Sequence, residues 1–155
     1  MKNKINRRSF IKKASLPIIG AASIAPFNVK ANTVKELSMV TSWPKNLPGI
    51  GLGANRLAQR IEKLSNNQIK VKVYSAGELV PPFGVFDAVS SGTADLYHSA
   101  EFYWGGKSRA YPFFASVPFG MTAEEFNSWI YQSDGQELWD KLGSNFNLKH
   151  FLVGN

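Results

Sequence analysis

The sequence contains no cysteine and only two histidines among its 155 residues. Without cysteine, the chain has no disulfide bond, thiolate metal site or cysteine nucleophile. His98 and His150 are far apart in sequence, and no H-x-x-x-H pair or acidic cluster accompanies either of them. Neither is therefore predicted to bind a metal ion or to act in catalysis. No serine stands in a G-x-S-x-G motif, so the sequence offers no recognisable nucleophile.

The positive charge of the chain is concentrated at its beginning. The formal net charge is +7 at pH 7, and residues 1–31 hold seven of the 18 Lys and Arg residues and no acidic residue. The remainder is therefore formally neutral. A neutral domain lacks the basic surface on which nucleic-acid binding depends, so nucleic acid is not an expected partner.

Residues 1–31 have the composition of an export signal: a basic start, an apolar stretch at 14–25 and a small-residue end, with cleavage expected after Ala31. Arg7 and Arg8, followed by Phe-Ile-Lys, resemble the signal read by the twin-arginine export machinery. The apolar stretch would form about 18 Å of helix, whereas a membrane span needs ~30 Å. We therefore expect a twin-arginine signal peptide and a periplasmic protein.

The segment after the leader alternates between two hydrophobic periodicities. Period-2 alternation predicts strands, whereas apolar residues three and four positions apart predict a helix face. The predicted elements are a strand at 35–42, a helix at 54–64, a strand at 69–73, a helix from Pro81-Pro82 to Gly92 and a strand at 94–99. This order predicts an α/β fold in which a parallel sheet carries helices on both faces.

Two further helices are predicted near the end of the chain. Thr122 with Glu125, and Ser133 with Gln136, each have the spacing of a capping box. A short apolar run at 150–153 follows, and it is expected to begin another strand.

Aromatic residues follow the ends of the predicted strands. Trp43 follows the first strand, and Tyr103 and Trp104 follow the third. Open parallel sheets bind ligands at the carboxyl ends of their strands, where such rings could wall a small molecule. The surrounding stretch 102–119 is expected to be an ordered loop, and its three phenylalanines after position 110 are expected to lie in the core: Phe113, Phe114 and Phe119.

A glycine-rich loop offers a different interpretation. The run from Gly49 to Ala54 fits the dinucleotide pattern G-x-G-x-x-A. That fingerprint requires an acidic residue at the end of the second strand, and Glu78 comes too late to supply it. The loop leaves an exported nucleotide-dependent oxidoreductase as the alternative function, or a helix N-terminus that offers amides to a small anion.

Several segments, together with the twin-arginine leader, resemble the solute-binding subunits of tripartite ATP-independent periplasmic (TRAP) transporters. These segments are TSWP (41–44), ANRLAQRIEKLS (54–65), SAGELVPP (75–82), AVSSGTAD (88–95) and FLVGN (151–155). The resemblance covers essentially the whole chain and is greatest to the branch that binds 2-oxo monocarboxylates such as pyruvate.

The resemblance implies a periplasmic-binding-protein-like receptor, not an enzyme, with two α/β domains that close over a small carboxylate and deliver it to membrane subunits. It implies that an arginine, a glutamine and a bound metal cation complete the site through residues beyond Asn155. The chain is thus expected to comprise the signal peptide (1–31), the first domain (32–133) and a crossing helix and strand (134–155), with the second domain largely missing. The full-length form is a candidate homodimer.

The resemblance also implies which residues of this chain contact the ligand. Tyr103 matches the first-domain contact best, and Trp43, Glu78, Phe83 and Trp104 are further candidates for the same wall. No catalytic residue, metal ligand or cofactor is expected within the chain itself.

Overall fold

The computed structural model describes residues 33–154. The strands are β1 (Lys35–Thr41), β2 (Ile69–Tyr74) and β3 (Leu96–His98). The helices are α1 (Ile50–Leu64), α2 (Val85–Ser90), α3 (Ala123–Gln132) and α4 (Gly135–Ser144), with two short 3₁₀ helices at Glu101–Gly106 and Tyr111–Phe114. The predicted signal residues Arg7, Arg8 and Ala31 lie outside the described residues. No helix in the described part is long and apolar enough to span a bilayer.

The three strands form one parallel sheet in the order β2-β1-β3. Side-chain bonds fix the register of the short β3. The carboxylate of Asp95 accepts hydrogen bonds from both the backbone N–H and the hydroxyl of Ser38, each at 2.8 Å. Because a side chain occupies the Ser38 amide, the ladder begins only at Leu96, so β3 is shorter than the predicted strand at 94–99.

Helices cover both faces of the sheet. Met39 packs against Ala54 and Ala58 of α1, whereas its neighbour Val40 packs against Val85 and Phe86 of α2. Adjacent residues of a strand point to opposite faces, so α1 and α2 lie on opposite sides. This arrangement confirms the predicted α/β fold of a parallel sheet.

Helix α2 begins later than the two prolines predict. Gly84 N donates to Pro81 O at 2.8 Å, which closes a turn before the helix. Pro82 O accepts from the Ser42 hydroxyl at 2.7 Å. The prolines therefore form the turn that connects the edge of the sheet to Val85, and the prediction that they open the helix is wrong.

The aromatic stretch is only partly core. Phe114 is buried beside Phe126 and Trp139, as predicted. Phe113 and Phe119 are exposed, and their predicted burial is wrong. Phe119 has a left-handed backbone in the turn that Gly120 N closes on Val117 O, which leaves its ring in solvent.

Only one of the two predicted capping boxes forms. Thr122 Oγ1 accepts from Glu125 N while the Glu125 carboxylate accepts from Thr122 N, and both bonds cap α3. Helix α4 begins after Asp134 without a side-chain cap, so the predicted box at Ser133 is wrong. Residues 149–154 pair with no strand among the described residues, and the strand expected there stays a prediction.

Candidate functional site

A group of aromatic rings lies at the carboxyl edge of the sheet. The Tyr103 ring is 5.1 Å from that of Phe83 and 6.3 Å from that of Trp43, between ring centroids. Phe83 is 64% exposed and Tyr103 38%, whereas Trp43 is only 8% exposed. We call Trp43, Phe83 and Tyr103 the aromatic wall. Two exposed rings on a buried base form an apolar surface that can stack on a small flat molecule.

The sequence brings these rings together from three places. Trp43 directly follows the end of β1, Phe83 lies in the proline turn before α2, and Tyr103 lies in the 3₁₀ helix after β3. Ser42 holds the first two together, because its hydroxyl contacts both Pro82 O and the Ser99 hydroxyl at 2.7 Å.

Trp43 is fixed by a hydrogen bond that sequence reasoning did not predict. Its indole Nε1 donates to Nδ1 of His98 at 2.7 Å. His98 ends β3 and is half-buried, and this burial lowers the pKa of its imidazole, with its own backbone carbonyl acting in the opposite direction. His98 is therefore a neutral side chain next to the wall at neutral pH.

Glu78 lies in the turn after β2. Ala76 N donates to Trp43 O at 2.8 Å, which places this turn beside the wall. The Glu78 carboxylate accepts from Ser75 N at 2.8 Å and lies 3.6 Å from Lys45 Nζ. These contacts give Glu78 a structural role in its own turn, and its contact with a ligand stays a prediction.

Trp104 lies behind the wall, not on its surface. It is 3% exposed and packs 5.2 Å from the Phe86 ring in the core. Phe102 instead is exposed, with its ring 4.4 Å from that of Tyr103. Consecutive residues of a 3₁₀ helix point in directions about a third of a turn apart, so Phe102 to Trp104 cannot all face one ligand.

The 3₁₀ helix that bears Tyr103 begins at a buried acid. Tyr97 Oη donates to Glu101 Oε1 at 3.1 Å. Burial raises the pKa of Glu101 to about 7, partly offset by hydrogen bonds. Glu101 thus anchors the start of the helix from inside the core.

The glycine loop before α1 has a packing explanation. A Cβ on Gly51 would lie 2.8 Å from the Leu47 side chain, so only glycine fits there. The amides of Leu52 and Gly53 already donate to Leu47 O and Gly49 O. Sterics and internal hydrogen bonds therefore account for these glycines without a nucleotide phosphate.

The family of the chain follows from a comparison with known proteins. The profile described as bacterial extracellular solute-binding protein, family 7, matches residues 39–153. The chain belongs to this family. That match contains β1 to α4 and every member of the aromatic wall, and it confirms the predicted resemblance.

Relatives within family 7 agree with this assignment. A monocarboxylate 2-oxoacid-binding periplasmic protein of Nostoc sp. is 34% identical over 97% of this chain. A TRAP periplasmic solute-binding protein from Pseudoalteromonas atlantica, solved with bound sodium and pyruvate, is 32% identical over 72% of this chain, with a TM-score of 0.70. One from Colwellia psychrerythraea, solved with calcium and pyruvate, has the same values.

These relatives of family 7 are longer than the present chain. The chain spans 43% of the Nostoc protein and 34% of each of the two solved proteins. Within residues 33–154, no group of three or more His, Cys, Asp or Glu side chains could hold a metal ion. The prediction that metal ligands lie elsewhere in the protein is not tested by this part of the chain.

Proposed function

We propose that this chain is the N-terminal part of a TRAP transporter solute-binding protein that captures a small carboxylate, most specifically a 2-oxo monocarboxylate such as pyruvate. The observation that carries the proposal is the exposed Tyr103, packed on Phe83 and Trp43 at the carboxyl edge of a family 7 domain. The pyruvate-bound relatives support the ligand class.

The wall supplies shape and one hydrogen bond in this proposal. The planar 2-oxoacid lies against the rings of Phe83 and Tyr103, and the Tyr103 hydroxyl donates to one of its oxygens. Trp43 supports the wall from below, with Glu78 and Trp104 as further candidate contacts. An arginine, a glutamine and a metal cation from the rest of the protein bind the carboxylate, because these rings carry no positive charge.

The remaining parts of the proposal concern the life of the protein in the cell. The leader with Arg7 and Arg8 directs export by the twin-arginine machinery, and cleavage after Ala31 releases the protein into the periplasm. There it delivers its ligand to the membrane subunits of a TRAP transporter. The protein performs no catalysis and binds no organic cofactor, and its full-length form is a candidate homodimer.

Thermal unfolding of the protein isolated from its native periplasm tests the proposal. A ligand that binds only the native state stabilises it, by about 2.7 kcal/mol when its concentration is 100 times Kd. We expect pyruvate to raise the Tm. Unchanged Tm values with pyruvate and a panel of other 2-oxoacids would contradict the proposal, and flavin or nicotinamide absorbance in the colour spectrum would favour the oxidoreductase.

Tyr103→Phe locates the binding surface in the same assay. It keeps the ring and removes the hydroxyl, so we expect pyruvate to bind more weakly, with little change in the ligand-free Tm. Tyr131→Phe is the matched control. Tyr131 Oη donates to Leu152 O at 3.1 Å, away from the wall, so its loss should lower the ligand-free Tm and leave pyruvate affinity unchanged.

A further inference from the structure

The hydrogen bond between Trp43 and His98 fixes the tautomer of the imidazole. An indole nitrogen is a donor only, so His98 Nδ1 must be unprotonated to accept the bond at 2.7 Å. In the neutral ring the single proton then resides on Nε2. His98 is therefore held as a hydrogen-bond donor whose direction is set by Trp43.

The position of His98 is next to the aromatic wall. It is the last residue of β3, and Ser42 N donates to its backbone oxygen at 3.3 Å, which holds it beside the end of β1. The Trp43 ring has its centroid 6.1 Å from that of His98 and 6.3 Å from that of Tyr103. His98 and Tyr103 thus flank the same indole.

The donor on Nε2 has no protein partner within residues 33–154. The only side-chain hydrogen bond of His98 in that part of the chain is the one that Nδ1 accepts. Nε2 is also not among the fully buried polar atoms that lack a partner, unlike both ring nitrogens of His150. It therefore reaches the surface at the edge where ligands bind parallel sheets.

We infer that His98 is a further ligand-binding residue, whose Nε2–H donates a hydrogen bond to a carboxylate or keto oxygen of the bound 2-oxoacid. This inference rests on the proposed function. A neutral donor suits a ligand whose charge is balanced elsewhere, because it satisfies an oxygen lone pair without adding a second cation. Trp43 acts as a positioning residue, since it sets the tautomer through His98.

Nitrogen NMR of histidine-labelled native protein tests the inference without any substitution. We expect the ligand-free protein to show His98 protonated on Nε2, and pyruvate to shift the Nε2 resonance while that of His150 stays in place. A proton on Nδ1 would overturn the inference. So would an unmoved His98 resonance in a protein that pyruvate stabilises, and this outcome would leave the proposed function intact. The absence of any stabilisation by pyruvate would overturn both.

Two isosteric variants separate the two nitrogens. His98→Asn keeps an acceptor near the position of Nδ1 and has no donor at that of Nε2, whereas His98→Gln places an amide donor near Nε2. We expect His98→Asn to weaken pyruvate binding by about tenfold and His98→Gln by clearly less. The ligand-free Tm reports whether each variant is folded. Equal losses, or a greater loss in His98→Gln, would contradict the inference.

Discussion

His150 Nε2 lies 4.0 Å from Glu101 Oε2, and the two side chains are 3% and 9% exposed. The Trp139 ring stacks on the imidazole with centroids 5.1 Å apart. Burial raises the pKa of Glu101 to about 7 and lowers the pKa of His150 to about 4. Between these values both groups are neutral, so the pair is a buried acid and base that need not ionise. It connects the helix of Tyr103 to the segment that follows α4.

This pair predicts two opposed pH dependences of stability. The folded pKa of Glu101 is above its ordinary 4.5, so its contribution to stability is full below pH 4.5 and is lost as the pH rises to about 7. The folded pKa of His150 is below its ordinary 6.5, so its contribution is full above pH 6.5 and is lost as the pH falls towards 4. The two slopes largely cancel in the wild-type protein.

Single substitutions should reveal each slope. Relative to the wild type, the unfolding free energy of Glu101→Gln should rise by roughly 3 kcal/mol between pH 4.5 and 7. That of His150→Gln should fall by a similar amount, roughly 3 kcal/mol, between pH 4 and 6.5. Urea unfolding at a series of pH values measures both. Parallel pH profiles for wild type and variants would show that neither group changes its pKa on folding.

A second prediction concerns two helical glycines with opposite surroundings. A Cβ on Gly143 would lie 2.6 Å from both His150 Nδ1 and Leu148 O, whereas one on Gly53 would meet nothing within 4 Å. Gly143→Ala should therefore destabilise the protein by about 1–3 kcal/mol through overpacking. Gly53→Ala, as the matched control, should stabilise it by up to about 1 kcal/mol because alanine favours helix. Thermal unfolding distinguishes them, and a gain in both variants would refute the close approach at Gly143.

A third prediction compares the capping box that forms with the one that does not. Thr122→Ala removes the side-chain acceptor for Glu125 N and should cost about 1 kcal/mol of unfolding free energy. Ser133→Ala should change it by less than about 0.5 kcal/mol, because α4 has no side-chain cap. Chemical denaturation of the two variants checks the ranking. The reverse order would mean that Ser133 caps α4 in solution.

Local patterns predicted the elements whose causes are local. Alternating side chains identified β1 and β2, the apolar spacing identified α1, and the spacing of Thr122 and Glu125 identified the start of α3. Each of these signals lies within a few residues of the structure that it predicts. The fold class followed, because strands and helices in alternation leave few arrangements.

Long-range partners explain what the sequence did not reveal. His98 was considered beside Asp95, its neighbour in sequence, yet Asp95 bonds Ser38 and His98 bonds Trp43, 57 and 55 residues away. Gln136 had the spacing of a cap, but its amide instead donates to Asp140 and to His150 O. These partners are brought together only by the parallel sheet and by the return of the chain past α4.

The pairing of β1 with strands on both sides has a consequence for how fast the domain folds. Its contact with β3 joins residues that are 57 positions apart, as between Ser38 and Asp95. Closing a loop of that length costs chain entropy before any β-ladder bond compensates for it, and parallel sheets are slow to fold for this reason. The first strand to emerge from the ribosome must wait unpaired for the later two, with Met39 and Val40 uncovered. During that interval the nascent chain is most exposed to aggregation.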